Sequence, residues 1–298
     1  MIIPARAAAD SLPRALDSVR SQTYPHIVEV IVAAADEETA RVAAGAGARV
    51  VRNPVGTTPA ALNLALGVAR GEVIVRCDAH AVLPPDYVER AVDTMARTGA
   101  ENVGGMQVPV GGTLWEEAIA AAMSSRLGAG DARYRTGGEE GPVETVYLGV
   151  FPRATLERLG GFDEDFVRNQ DYELNHRIIE SGGLVWFDPE LRVEYRPRGS
   201  LRALARQYFQ YGRAKRQMTR KHPGSLRWRQ LAAPALVLAL IASILLSIVS
   251  LWALAVPVLY LVTLGLAGVV AGKGATSIGK TLALTVMHVS WGIGFLTH

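Results

Sequence analysis

Short apolar runs alternate with helical patterns over the first two-thirds of the chain. MIIP (1–4), VEVIVAA (28–34), RVVRN (49–53), EVIVRC (72–77) and NVGGMQVP (102–109) read as strands. Between them, residues 9–22 put Leu12, Leu16 and Val19 on one helix face, and residues 58–70 put Leu62, Leu66 and Ala69 in phase. Pro84 and Pro85 open a further helix through about Arg97, since proline suits a first turn. A helix is expected near 114–126, then a mobile Gly-rich loop, GAGDARYRTGGEEG, with no phosphate-cradling spacing. TVYLGVF (145–151) is a strand, followed by a helix over 153–159, the turn GGFDEDF, a helix near 170–182 and a short strand pair over 184–195. There is no internal repeat. This alternation predicts an α/β fold, a Rossmann-like, mostly parallel sheet with helices on both faces. Ligands of such sheets gather at the carboxyl ends of the strands.

The last third reads differently. LAAPALVLALIASILLSIVSL (231–251) and WALAVPVLYLVTLGLAGVVAG (252–272) hold no ionisable residue, and each is long enough to cross a bilayer, which takes about 20 residues. With no polar loop between them, they predict a helical hairpin turning near Trp252 to Pro257. TLALTVMHVSWGIGFLTH (281–298) is shorter and carries His288, and fits either a third span or a re-entrant segment.

Charge separates the same two regions. The formal net charge is +3, yet residues 1–194 carry 18 Lys and Arg against all 28 Asp and Glu. Residues 195–298 carry the other 13 Lys and Arg and no acid. A basic, acid-free tail suits nucleic acid or an anionic membrane surface, and the apolar stretches decide for the membrane and against nucleic acid. Eleven Lys and Arg lie in 196–229, and Lys273 and Lys280 follow the second stretch. By the positive-inside rule both flanks face the cytoplasm. MIIPARAAADS lacks the apolar core of a signal peptide, and a chain starting almost at its first strand reads as trimmed or as having a misassigned start. The expected organisation is a cytosolic acidic domain (1–195), a basic amphipathic interfacial segment (196–229) and a multi-pass membrane domain of two to three helices (230–298). The single cysteine, Cys77, excludes an internal disulfide and reads as a plain buried thiol.

Candidate chemistry starts at RCDAHAVLP (76–84), where a carboxylate and an imidazole follow a core strand. For DAH alone a polar turn is as good a reading as a metal site. IIPAR, RCDAHAVLPPDYV, GGFDEDFVRNQDYELNHRI and QYFQYGRAKRQ ahead of apolar stretches, in that order, resemble family 2 glycosyltransferases, and within them the membrane-attached enzymes of exopolysaccharide assembly.

The resemblance implies a GT-A fold and inverting transfer of a hexose to a lipid-linked or saccharide acceptor. The implied donor is a nucleotide-diphosphate sugar, a UDP-sugar by family preference. It further implies a divalent metal, Mn²⁺ or Mg²⁺, at a short acidic motif that here reads Asp78-Ala79-His80. An extended backbone would put residues 78 and 80 on one side, and a carboxylate with an imidazole suits Mn²⁺ somewhat better. Asp171 corresponds to the general base; Gln170 stands where many relatives have Glu, and Glu173 is a supporting carboxylate. The bland alternative for Asp171 is a carboxylate favoured by a helix N-terminus. Pro4, Ala5 and Arg6 would line the pocket for the base. The usual Asp after the second strand is replaced by Ala33–Ala35, so that either Asp36 takes over or the role is lost, and Asn63 joins the donor side. Asn53 is more a turn residue than a ligand. Gln207, Gln210, Arg213 and Arg216 would hold a donor or lipid diphosphate, or belong to a basic helix lying on anionic lipid. Ala214 stands where processive relatives have tryptophan, which favours addition of single sugars. The alternative function is a non-catalytic membrane scaffold that keeps the fold, motivated by the alanines at 33–35.

Overall fold

Ile2 and Ile3 are neighbours in the chain and lie in two different cores, because successive strand side chains point to opposite faces. The computed structural model describes residues 1–270 and 275–297. The elements run β1 (Ile2–Ala5), α1 (Leu12–Arg20), β2 (Ile31–Ala34), α2 (Glu37–Gly45), β3 (Arg49–Arg52), α3 (Thr58–Leu66), β4 (Val73–Val75), α4 (Tyr87–Thr98) and β5 (Asn102–Pro109). They continue with α5 (Leu114–Met123), α6 (Arg126–Ala129), α7 (Arg133–Thr136), β6 (Gly141–Pro142), β7 (Tyr147–Pro152), α8 (Arg153–Arg158), α9 (Gln170–Glu180) and β8 (Val185–Tyr195). The last elements are α10 (Leu201–Lys221), α11 (Ala232–Leu246), α12 (Ala255–Val270) and α13 (Ala275–Leu296).

The chain forms two compact units, Met1–Val108 with Ala132–Tyr195, and Pro109–Asp131 with Arg196–His298. In the first, β1, β2 and β3 pair in parallel, and β1 lies between β2 and the end of β4, where Ile2 bridges Arg76 in parallel. Ile3, Ala5, Val32 and Ala34 face one core with Leu12, Leu16 and Val19 of α1 and Tyr87, Val88 and Ala91 of α4. Ile2, Ile31, Ala33 and Ile74 face the other, with Leu62 and Ala65 of α3 and Leu174 and Ile178 of α9. The expected parallel sheet with helices on both faces is therefore present. A second sheet adjoins it in the order β4-β7-β5-β8-β6, in which β7 runs antiparallel to both β4 and β5.

Four local expectations are corrected. Residues 184–195 make one strand of 11 residues, not a pair. Asp188-Pro189 resembles a turn, but Asp188 is buried and accepts from Arg90 Nε at 2.8 Å and Thr94 Oγ1 at 3.1 Å. β8 instead lies between β5 and β6, the latter from the Gly-rich segment, which also contributes to α6 and forms α7. Pro84 and Pro85 precede α4, which starts at Tyr87. Helix α2 has one valine, Val42, among alanines and so no bulky apolar stripe for periodicity to mark; Asp36 caps it.

In the second unit, α13 packs against α5, α10, α11 and α12. Its Ala283, Leu284 and Met287 are buried. Helix α5 opens with a capping box between Thr113 and Glu116, and Glu116 also takes Arg196 Nε at 2.9 Å. Two segments, Trp228–Leu246 and Leu251–Gly268, are long and apolar enough to cross a membrane, and only 17% and 11% of them is buried. Residues 281–296 of the third apolar stretch fall within α13, a helix of 22 residues. Lys273 lies outside the described residues.

Gly105 of β5 faces β8 so closely that a Cβ there would fall on the Leu191 carbonyl. Gly105→Ala should cost about 1–3 kcal/mol through overpacking, read as a lowered midpoint in denaturant; an unchanged midpoint would show that the two strands separate freely.

Candidate functional site

The carboxyl ends of β1, β2 and β4 converge on one edge of the first unit, and the predicted donor-side residues follow them. After β1, Arg6 is exposed and its guanidinium donates to the Gly56 carbonyl at 3.2 Å. Pro4 and Ala5 are the last residues of the strand and pair with Ala33 and Ala34. The residue after Arg6, Ala7, has φ +48°, a left-handed conformation unfavourable for a residue with a Cβ. Its N–H donates to Asp36 Oδ2 at 2.7 Å. Asp36 also accepts from the Thr39 N–H at 2.9 Å and the Thr39 hydroxyl at 2.9 Å. Those donors hold the Asp36 carboxyl below the usual range, the Thr39 N–H most, then Ala7 and the Thr39 hydroxyl, with the charge of Arg6 adding to them. Asp36 thus caps α2 and shapes the turn after Pro4, Ala5 and Arg6.

The end of β4 carries the centre of the site. The Arg76 N–H donates to the Gly149 carbonyl at 3.1 Å and the Cys77 N–H to the Ile2 carbonyl at 3.0 Å, so the backbone is fixed from both neighbouring strands. Arg76 has a side chain only 5% exposed. Its Nε and one terminal nitrogen donate to Asp78 Oδ1 at 3.0 and 2.9 Å, and its other terminal nitrogen donates to Asp171 Oδ1. Asp78 and Asp171 come from positions far apart in the chain and meet on one guanidinium. Asp171 stands in the first turn of α9 and remains 39% exposed. Arg76 is the functional residue that sequence reasoning missed; the only signal was an arginine in an otherwise apolar strand.

The segment after Asp78 is not extended. The Ala81 N–H donates to the Asp78 carbonyl at 2.9 Å, closing a turn over Ala79 and His80, so strand alternation does not place the two side chains. His80 is exposed and meets the Tyr195 ring edge-on, with centroids 6.3 Å apart. Among the described residues no three His, Cys, Asp or Glu side chains are grouped to hold a cation. Asp78 offers Oδ2, which accepts no hydrogen bond among the described residues, while Oδ1 is taken by Arg76. One open carboxylate oxygen suits a divalent cation completed by water and a diphosphate, not one caged by protein alone.

Other predicted residues lie elsewhere. Glu173 is buried and forks onto Arg177, with bonds of 2.8, 3.0 and 2.7 Å; Arg177 in turn ties the Leu159 and Gly161 carbonyls. Its part is to fix α9 against the preceding turn. Gln170 is buried. The Asn63 amide binds Phe162 through both its nitrogen (2.7 Å) and its oxygen (2.8 Å), and so anchors the GGF turn. Asn53 closes its own turn, with Gly56 N–H at 3.0 Å and the Thr57 carbonyl at 3.0 Å. Cys77 is fully buried, and burial pushes its thiol up. Gln207, Gln210, Arg213 and Arg216 all lie on α10 in the second unit. There Arg213 is exposed, Gln207 donates to the Tyr211 hydroxyl at 3.0 Å and Arg216 stacks 5.5 Å from the Phe295 ring centre. Near the first site, the Tyr147 hydroxyl and the Gln107 side-chain oxygen are buried without a hydrogen-bond partner among the described residues. Burial, and then the Asp78 carboxylate, push the Tyr147 phenol well up.

Residues 1–160 match the family model described as glycosyl transferase family 2. The chain belongs to glycosyltransferase family 2. It is 31% identical over 314 residues to the succinoglycan biosynthesis protein ExoA of Rhizobium meliloti (strain 1021), a likeness spanning 99% of this chain and 93% of that one. The family match includes Asp78, and Asp171 falls in the stretch shared with ExoA. Among solved structures, the mannosyltransferase PcManGT of Pyrobaculum calidifontis, in complex with GDP-Man and Mn2+, superposes with a TM-score of 0.64 at 21% identity, covering 99% of this chain and 85% of that one. TarS 1–349 of S. aureus, in complex with UDP-GlcNAc, gives a TM-score of 0.52 at 13% identity over 70% of this chain and 65% of that one. These likenesses bear out the GT-A-like fold. Family membership makes the protein a glycosyltransferase.

The Asp36 network has a pH signature. Its folded carboxyl lies below the ordinary value of about 4, so its stabilisation is present above that value and is lost as pH falls towards the folded one. Asp36→Asn still caps a helix but cannot titrate. Its melting temperature should fall less than that of the wild type between about pH 5 and about pH 3; identical acid limbs would contradict this role.

Proposed function

We propose that this family 2 enzyme moves a hexose from a nucleotide-diphosphate sugar to a lipid-linked or polysaccharide-precursor acceptor at a membrane, with inversion at the anomeric carbon. The observation that carries the reading is the meeting of Asp78 and Asp171 on Arg76 at the carboxyl edge of the sheet. Asp171, half open to solvent, takes the proton of the acceptor hydroxyl. The hydroxyl oxygen attacks the anomeric carbon from the side opposite the diphosphate, and the bond to the diphosphate oxygen breaks with its electron pair leaving on the nucleoside diphosphate. One attack with one departure inverts the configuration. Pro4, Ala5 and Arg6, on a turn held by Asp36, form the side where the nucleoside docks, with Asn63 supporting from α3.

Asp78, with His80 beside it, would hold a divalent cation, Mn²⁺ or Mg²⁺, which when bound neutralises the diphosphate charge. ExoA acts in succinoglycan biosynthesis by name, and PcManGT and TarS hold a guanosine- and a uridine-linked sugar. These support the donor class and leave the base to be read by assay. The two uncharged apolar helices and the basic stretch 196–229 support a multi-pass protein of the cytoplasmic membrane with the catalytic side in the cytosol. On α10, Gln207, Gln210, Arg213 and Arg216 are polar and cationic groups suited to a diphosphate or to anionic lipid.

The test is transfer of labelled sugar from UDP- and GDP-hexoses to a polyprenyl-diphosphate acceptor by the full chain in membranes. Transfer should stop with a chelator and return with Mn²⁺ or Mg²⁺. Asp171→Asn should lower kcat by about 10²–10⁴-fold and leave nucleoside diphosphate binding in place. Undiminished turnover by that variant would remove Asp171 as the base, and turnover in chelator would remove the metal.

A further inference from the structure

Arg76 is the only arginine among the described residues with less than a tenth of its surface exposed. Its backbone is fixed on both sides by Gly149 and Ile2, and all three guanidinium nitrogens are used, two on Asp78 and one on Asp171. Helix α9 starts without a side-chain cap: Asn169 is left-handed, with φ +62°, and its amide caps nothing. The first turn that carries Asp171 is held from outside, by Arg76 on Asp171 and by the Glu173–Arg177 pair, and of these only Arg76 joins the Asp171 carboxylate to Asp78. Simple neutralisation would need only one positive charge near two carboxylates. What the structure has instead is a planar fork that reaches the two along different edges.

We propose that Arg76 is the positioning residue of the transferase site, fixing Asp171 at a set distance and angle from Asp78. The base and the place where the diphosphate departs are then assembled as one unit, before substrate arrives. The proposal rests on the reading of Asp171 as base and Asp78 as donor-side carboxylate. Geometry of this kind acts on turnover: displacing a catalytic group by about 1 Å costs about 10²-fold. Lysine at position 76 keeps the charge but not the fork.

The experiment compares wild type, Arg76→Lys, Arg76→Ala and Asp171→Asn in the full chain. It uses whichever UDP- or GDP-hexose the wild type turns over, and binding of UDP and GDP with Mn²⁺ as the second readout. Arg76→Lys should melt close to the wild type and bind the nucleoside diphosphate within about 3-fold. Its kcat should fall about 10²-fold, with the donor KM little changed. Added guanidinium ion should restore part of the kcat of Arg76→Ala, since a cavity of the right shape is left beside both carboxylates. A kcat for Arg76→Lys within about 3-fold of wild type would show that charge alone suffices and overturn the proposal. So would a loss confined to donor KM, which would make Arg76 a donor ligand, or failure of both variants to fold, which would make it a fold residue. If the wild type transfers no sugar, or Asp171→Asn stays active, the function proposed above fails; if Asp171→Asn is inactive and Arg76→Lys is not, only the role of Arg76 fails.

Discussion

A guanidinium with 5% of its side chain exposed must have its charge met inside the protein, because removing one partner of a buried pair leaves an uncompensated charge, at about 3–5 kcal/mol. Arg76 meets this requirement with Asp78 beside it and Asp171 across the chain. It stands where the parallel sheet joins the antiparallel one. There a strand end has Ile2 on one side and Gly149 on the other. Electrostatic demand and sheet topology thus select the same position. A neutral residue at 76 would take from both carboxylates the cation they share.

The backbone around this centre is under strain in a consistent pattern. The described residues include three non-glycine residues with positive φ: Ala7, Leu148 and Asn169. Each adjoins a residue of the site: Arg6, Tyr147 and Gln170-Asp171 respectively. Each is also held by a specific bond. The Ala7 N–H is on Asp36, the Leu148 carbonyl accepts from the buried Tyr87 hydroxyl at 3.0 Å, and the Asn169 carbonyl accepts from the Glu173 N–H at 2.9 Å. Left-handed conformations cost about 1–3 kcal/mol each and persist where the surroundings over-determine them. Their clustering here sets the direction of the side chains that follow and precede them.

What could be read from the sequence follows from range. Strands β1, β2 and β4 were legible because they are buried on both faces and so are apolar without interruption. Asp78 and Asp171 were legible as motif residues. Asp36 follows β2 and Asn63 lies within α3, and their polar groups hold the turn after β1 and the GGF turn, contacts that only a folded chain defines. Arg76 was illegible for the same reason: its second partner lies 95 positions away. The turn at Ala79-His80 was missed because alternation was extended past the last strand residue, where a single backbone bond to Asp78 reverses the chain.

The second unit obeys a different packing rule. A Cβ on Gly212 would fall on the Trp291 carbonyl, and one on Gly294 on the Phe209 carbonyl, so α10 and α13 touch backbone to backbone. Gly292 approaches the Ala233 carbonyl of α11 in the same way. Small residues at contacts and large apolar ones facing outward, such as Leu238, Ile241 and Leu245 on α11, invert the arrangement of the first unit, where bulky side chains fill the interior. Helices associate in this manner where burying leucine gains little because the surrounding solvent is itself apolar. Backbone fit then has to supply the association that the hydrophobic effect supplies in water. For the membrane placement proposed above, the glycines of α13 are therefore stronger support than the hydropathy of α11 and α12 alone, since an apolar helix can also be a core helix, and a core helix does not leave its leucines uncovered.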